Sequence, residues 1–411
     1  MKLKDSLIFC IVIIGTPNLL YAQENASCTT FETPNSVLKC VRLTHPTIPI
    51  QNATVQTMEF AAEQAGQIPN PNLDIEAVNK KGEGFVSELS LLHTFQLGGK
   101  ASAREQLALT SHGISKLQSR KNLENLTMQT VEDLYRLRQV RQEREVAQEN
   151  IKTFERLIKK YRRIGKLSPE QKVSVSVFSL AEKENRLKDN ALQNEEQEIE
   201  TRFQIALRSP VKLSQNSLPA FTTEWPSLNG NEVSGTDLKI ANKHLESAEA
   251  GLNLEKSESW PDLSIGPRFE IETAVQGQTE FRAGIALSLP LPIYQANGAG
   301  RAKARSNLER ETMTLAYTKD LLTQEKKILR ASYDRAVALM KKMADTKSIE
   351  AQHRDLHNLL NRGVVSAPLV IESHRQLLEY YENLHEEEIK GVRALWRTYA
   401  LENRILKEEI K

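Results

Sequence analysis

Helix breakers are scarce in this chain, with 18 Gly and 15 Pro among 411 residues, and 26% of the residues are charged. Length alone would favour two or more ordinary domains, but this composition points to long helices. Charge of one sign is also missing. The formal net charge is only +2, so nothing calls for nucleic acid or a strongly anionic partner. Past the first 22 residues there is no apolar run suited to a membrane helix. Ala283–Gly300 is uncharged but is split by two Pro and three Gly. A chain without such a helix can still enter a membrane as a barrel. A catalytic triad, a phosphate loop and a zinc signature are all missing, so no enzyme, cofactor or resident metal is expected.

Residues 1–22 read as a secretory signal. Lys2 and Lys4 form the basic start, Leu7–Ile14 the apolar core and Leu20-Tyr21-Ala22 the cleavage site. Removing them takes away two Lys and one Asp, which lowers the net charge from +2 to +1. Of three Cys, Cys10 leaves with the signal. Cys28 and Cys40 remain in an oxidising compartment, where a disulfide between them is expected. The alternative is an acyl chain on Cys28, for which Asn25-Ala26-Ser27 is a poor cleavage sequence.

The chain is organised around Phe281–Arg305. Phe281, Ala283, Ile285, Leu287, Leu289, Leu291 and Ile293 alternate at period two, the mark of a strand with one apolar face. Pro290 and Pro292 occupy the opposite phase, Asn297-Gly298-Ala299-Gly300 break the pattern, and a helix of about 60 residues, or ~90 Å, is expected from Arg301.

The same junction occurs earlier. Helices at Ser36–His45 and Ala53–Ala65 are followed by a strand at Leu73–Val78 and another at Phe85–Leu97. In the second strand Phe85, Leu89, Leu91 and Phe95 share one face and Glu88, Ser90, Thr94 and Gln96 the other. Gly98-Gly99 end it, and Lys100 opens a helical tract. In the second half a helix at Leu238–Ser259 leads to a strand at Leu263–Thr273. Gly99-Lys100-Ala101-Ser102-Ala103-Arg104 parallels Gly300-Arg301-Ala302-Lys303-Ala304-Arg305. Internal similarity of this length makes the chain two copies of one unit: 23–208 and 236–411, joined by a linker at 209–235 rich in Ser, Pro, Asn and Gly.

Each long helix ends at a Gly turn, Arg163-Ile164-Gly165-Lys166-Leu167-Ser168 and Arg362-Gly363-Val364-Val365-Ser366. Gly suits a left-handed helix end and Ser the next cap. Return helices are expected at Ser168–Leu207 and Ser366–Leu406. Leu137, Ile151 and Ile158 share one heptad position, and Val140, Ala147, Phe154 and Tyr161 another. Leu315, Leu322, Leu329, Ala336 and Met343 recur every seven residues. These are coiled-coil seams, interrupted at Arg144.

In this order the chain resembles the TolC-like outer membrane efflux proteins across nearly all of its mature length. Asn70-Pro71-Asn72-Leu73, Phe95-Gln96-Leu97-Gly98-Gly99-Lys100 and Leu289-Pro290-Leu291-Pro292-Ile293 with Asn297-Gly298 are most similar to its cobalt–zinc–cadmium branch. The resemblance implies a mainly α protomer of two repeats, with long coiled-coil hairpins and four strands that contribute to a trimeric 12-stranded β-barrel in the Gram-negative outer membrane. It implies a helical tunnel in the periplasm, a periplasmic adaptor, an inner-membrane transporter of the resistance-nodulation-division type, and export of divalent metal cations. The alternatives are a drug-efflux or type I secretion duct, or a periplasmic or extracellular coiled-coil protein without a pore.

By the same resemblance Gly165, Leu167, Ser168, Gly363, Val365 and Ser366 form the adaptor-docking tip. Glu170 and Glu372, with Arg163 and Arg362 near enough to pair with them, are candidates for a pore gate. His353 and His357 stand four apart on a helix, a spacing that also suits a metal ion.

Overall fold

The computed structural model describes Cys28 and residues 31–81, 84–221, 224–228, 230, 232–274, 277–343, 351, 355, 359 and 366–410. The signal segment lies outside these residues. Thr33 and Ser36 form a capping box that starts α1 (Pro34–Thr44). Helix α2 (Thr47–Ala65) begins six residues before the expected Ala53, because Pro46 already has helical angles (φ −56°, ψ −25°).

Four strands follow the period-two pattern: β1 (Asn72–Lys80), β2 (Gly84–Gln96), β3 (Asp262–Ala274) and β4 (Thr279–Ser288). They form one antiparallel sheet in the order β1-β2-β3-β4. The β2–β3 pairing therefore joins the two halves of the sequence. Strand β4 stops at Ser288, short of the expected Ile293, because Pro290 and Pro292 have no N–H to give a ladder.

The helices are α3 (Lys100–Arg162), α4 (Pro169–Leu207), α5 (Thr236–Ser257), α6 (Gly298–Lys342) and α7 (Ala367–Leu401). At 1.5 Å per residue α3 is about 95 Å long. Both strand-to-helix junctions need a left-handed residue. Gly98 and Gly99 (φ 71° and 74°) supply it before α3. Asn297 (φ 53°) supplies it before α6, so that helix starts at Gly298 rather than Arg301. The Asn297 amide donates to the Glu255 backbone oxygen at 2.9 Å and to its carboxylate at 2.6 Å, which holds the turn.

The main core surrounds the middle of α3, where Val131, Leu134, Leu137 and Val140 meet α1, α4 and α7. Three described leucines between α4 and α5 contribute to this core. Leu213, Leu218 and Leu228 are buried, and the Tyr333 hydroxyl donates to the Pro226 carbonyl. The first and last described segments pack over the same region. Cys28 and Cys40 form a disulfide (Cα–Cα 5.5 Å). Asn35 donates to the Ile410 carbonyl at 2.9 Å and accepts from its N–H at 2.7 Å. A second cluster, Phe154, Leu157, Ile158, Phe178 and Val370, lies farther along the hairpins. The α3 heptad residues Leu137, Val140, Ala147, Ile151, Phe154 and Ile158 are buried, whereas Met343 of the second seam is exposed just past the end of α6. Arg144 donates to Asp189 and Glu196 on α4, both at 2.9 Å, so the interruption carries a cross-helix ion pair.

A buried polar seam crosses α7, α3 and α4. Arg138 is ion-paired with Glu388, which is fully buried and also accepts from Gln139 at 2.6 Å. His385 Nδ1 lies 2.7 Å from Glu143. Arg136 donates to Glu143 at 2.8 Å and to Glu195 at 2.6 Å. Burial alone would raise the Glu143 carboxyl, but the hydrogen bonds from His385 and Arg136 outweigh it and hold the group below its ordinary value. A carboxyl so depressed stabilises the fold above its ordinary value of 4.5 and loses that contribution as pH falls through the lower, folded value. Glu143→Gln is expected to lose about 1.5–3 kcal/mol near neutrality, the range for hydrogen bonds to charged groups. Its stability should also fall less steeply than the native protein's below pH 4.5, as measured by thermal unfolding over a pH series. A Cβ at Gly266 would stand 1.8 Å from the Leu91 carbonyl oxygen, whereas at Gly284 it would meet nothing. Gly266→Ala should therefore separate β2 from β3 and cost about 1–3 kcal/mol or more. Gly284→Ala should be close to neutral when the two variants are compared by urea titration.

Candidate functional site

The register divides the sheet into two chemically different faces. Leu73, Ile75, Leu89, Leu91, Phe95, Phe269, Ile271, Phe281, Ile285 and Leu287 lie on one face, and all are exposed. Asp74, Glu76, Glu88, Arg268, Glu270, Glu272, Glu280 and Arg282 lie on the other. The alternation follows from the pleat, since each strand contributes every second residue to a face. On the charged face, Arg268 donates to Glu88 at 2.5 Å and Arg282 to Glu270 at 3.2 Å. Lys80 reaches Glu272 at 3.3 Å. These bonds cross from strand to strand and fix the register on the side away from the apolar residues. Among the described residues, both outer strands, β1 and β4, keep one unpaired edge. Among the described residues, no helix is long and apolar enough to cross a membrane.

The α3–α4 turn is built without a left-handed glycine. Arg163 closes α3 with ordinary helical angles, its N–H directed to Lys160 O and Tyr161 O. Gly165 is not among the positive-φ residues, and a Cβ there would meet nothing within 4 Å. The expectation of a left-handed Gly165 is thus corrected: the turn closes by tight backbone bonds, Ile164 N–H to Tyr161 O at 3.0 Å among them. Leu167 is half-buried. Ser168 caps α4, accepting from Gln171 N–H at 3.2 Å while Gln171 Oε1 accepts from Ser168 N–H at 2.9 Å. Ile164, Gly165, Lys166, Ser168 and Glu170 are exposed at this end of the hairpin.

Ser366 stands at the N-cap of α7 with extended angles but makes no side-chain cap bond. Arg362, Gly363, Val365, His353 and His357 lie outside the described residues. Glu170 sits in the exposed first turn of α4. Glu372 is held by Arg375, at 2.7 and 2.9 Å, and by Gln376 at 2.7 Å. The Arg375 hydrogen bonds bring its carboxyl down to about 2, so it stays ionised at any ordinary pH. An exposed pair of this kind adds little to stability. No group of three or more potential metal-ligating side chains occurs among the described residues.

Sequence reasoning missed the seam of Arg138, Glu143, His385 and Glu388. Its signal was present as polar residues set among the buried apolar positions of α3 and α7, a pattern that reads as surface until both helices are placed.

No family model matches the chain, and no curated protein sequence does. Solved structures do match. The outer-membrane channel OprN superposes with a TM-score of 0.70 at 15% identity, covering 90% of each chain. The open-state MtrE outer membrane channel of Neisseria gonorrhoeae gives 0.69 at 12% identity, again over 90% of each. CusC, studied for the conformational changes of folding and transmembrane channel formation, gives 0.68 at 14% identity over 93% of this chain and 95% of that one. The chain thus has the helix-rich fold of these channels, with a small antiparallel sheet at the head of long helical hairpins.

Proposed function

We propose that this chain is the outer membrane duct of a tripartite export system, a homotrimer with no enzymatic activity of its own. The observation that carries the reading is the sheet, which exposes a full apolar face, turns a charged face the other way and leaves both edges unpaired. Open edges in lipid are prohibitive, so such a sheet must be completed by other copies. Three copies supply twelve strands, with apolar residues toward lipid and charged residues toward the lumen. Exposed apolar stripes support contacts between copies along the tunnel: Val173, Val177, Leu180 and Leu187 on α4, and Met313, Tyr317, Leu321 and Ile328 on α6. In this reading 23–208 and 236–411 are the two efflux repeats and 209–235 joins them. The sheet lies in the outer membrane and the hairpins reach through the periplasm. The turn at Gly165, Leu167 and Ser168, with that at Gly363, Val365 and Ser366, meets a periplasmic adaptor coupled to an inner-membrane resistance-nodulation-division transporter. Glu170 and Glu372 border the opening there. Divalent metal cations are the proposed cargo, supported by the heavy-metal-like motifs at both strand-to-helix junctions.

Replacing Leu287, on the exposed apolar face near the helical end of the sheet, with Arg should lower barrel stability by about 1 kcal/mol, the cost close to the interface being smaller than at the bilayer midplane. Arg at the adjacent Ser288 should be tolerated. Cross-linking in mild detergent should give a trimer for the native chain and for Ser288→Arg, with less trimer for Leu287→Arg. Equal loss in both variants, or no trimer in the native chain, would contradict the barrel.

Gly165→Trp tests the tip. Because Gly165 has open space around it and no left-handed φ, the variant should fold and assemble normally. A bulky ring on the docking turn should nonetheless abolish adaptor cross-linking and make cells as sensitive to divalent metals as a deletion strain. Full resistance would remove the turn from the docking surface. Sensitivity of the deletion strain to drugs alone would replace metal cations as the cargo.

A further inference from the structure

We propose that Leu289–Tyr294, together with Trp260, is an interfacial membrane anchor that lies among the lipid headgroups at the helical end of the sheet. This inference rests on the duct reading and adds a contact which that reading does not require.

The ladder of β4 ends at Ser288, yet the apolar phase does not. Leu289, Leu291 and Ile293 continue the odd positions of Ile285 and Leu287. Leu289 and Leu291 each precede a proline, which holds the backbone extended and carries the alternation onward without a partner strand. Pro290 and Pro292 have no N–H, and the Ile293 N–H is satisfied by the Leu291 carbonyl at 2.8 Å. The two prolines leave the segment four backbone N–H groups in six residues, and those not bonded within it can be met by water and phosphates in the headgroup region. The side chains are uncovered: Leu291 is 67% exposed, Ile293 74% and Tyr294 fully. No charged residue occurs between Arg282 and Arg301.

Behind the loop the chemistry changes within one side-chain length. Pro290, Leu291 and Pro292 border a cleft that also holds Lys100, Glu255, Glu258 and Asp262, with Lys100 Nζ 2.7 Å from Asp262. An apolar outer surface backed by a charged rim is the profile of a lipid–water boundary. Trp260 stands at the start of β3 at this same end, packed over Gly98 and still exposed. Trp and Tyr favour such a boundary because their rings are apolar with one polar atom. The competing occupant is a second copy of the chain. Lipid is favoured because the loop continues the apolar sheet face and carries no charged group to fix it against a protein surface.

The test uses the full chain with single introduced cysteines, since Cys28 and Cys40 are joined to each other. Ile293→Cys, Leu287→Cys and Glu258→Cys are spin-labelled and reconstituted into phosphatidylethanolamine–phosphatidylglycerol vesicles. Collision rates with molecular oxygen, which partitions into lipid, and with a water-soluble nickel chelate are then compared. The oxygen-to-nickel ratio at 293 is expected to match that at 287 within a factor of a few and to exceed that at 258 several-fold. Lipid contact at 287 with nickel access at 293 would overturn the anchor and leave the duct reading intact. Shielding of 293 from both reagents would assign the loop to a second copy and also overturn it. Nickel access at 287 would defeat the duct reading, and the anchor with it.

Discussion

An antiparallel sheet with two unpaired edges and an uncovered apolar face is unfinished, and most of the molecule follows from that. Each unpaired edge presents a row of N–H and C=O groups that must find partners. The hydrogen bonds between β2 and β3 unite the two halves of the chain, yet they leave β1 and β4 to pair elsewhere. The charged face is already satisfied within the sheet by pairs such as Arg268–Glu88 and Arg282–Glu270. What remains unsatisfied is the apolar face and the edges, which define the kind of surroundings the sheet needs.

The two strand-to-helix junctions perform one geometric task with different residues. Gly98-Gly99 bend the chain by having no Cβ. Asn297 bends it in spite of one, because its amide is anchored on Glu255. The repeated sequence Gly-Lys/Arg-Ala aligns the two junctions by composition, but the second helix begins three residues earlier than that alignment implies. Gly300 consequently lies inside α6, where a side chain would strike Asn297 and Glu255.

The strands were legible because each has one polar face, which leaves a clean period of two. The long helices were legible because breakers are scarce within them. Errors arose where local chemistry and pattern disagree. Leu289, Leu291 and Ile293 keep the strand period after prolines have ended the ladder. Between α4 and α5, Leu213, Leu218 and Leu228 are buried in the core, which composition alone did not indicate. Gly165 looked like a left-handed helix end, yet the α3–α4 turn closes without one. The Arg138–Glu388 and Glu143–His385 pairs could not be read from one helix, since their meaning depends on which polar residues face each other across two.

The distribution of these interactions has a consequence for how the protomer is built. Side-chain ion pairs, the disulfide, the Asn35–Ile410 bonds and the buried Leu213, Leu218 and Leu228 converge near the middle of α3. Toward either end fewer elements meet. At one end the strands hold each other; at the other, a capped turn and a small aromatic cluster of Phe154 and Phe178 suffice. Fixing the middle lets both ends stay exposed without loosening the fold, because a long helix transmits its position rigidly from a buried centre. A buried ionic seam suits that role, since a displaced Glu388 or Arg138 would leave an uncompensated charge in the core. The helices are thus held in one register at the centre while the two ends are left to meet their surroundings.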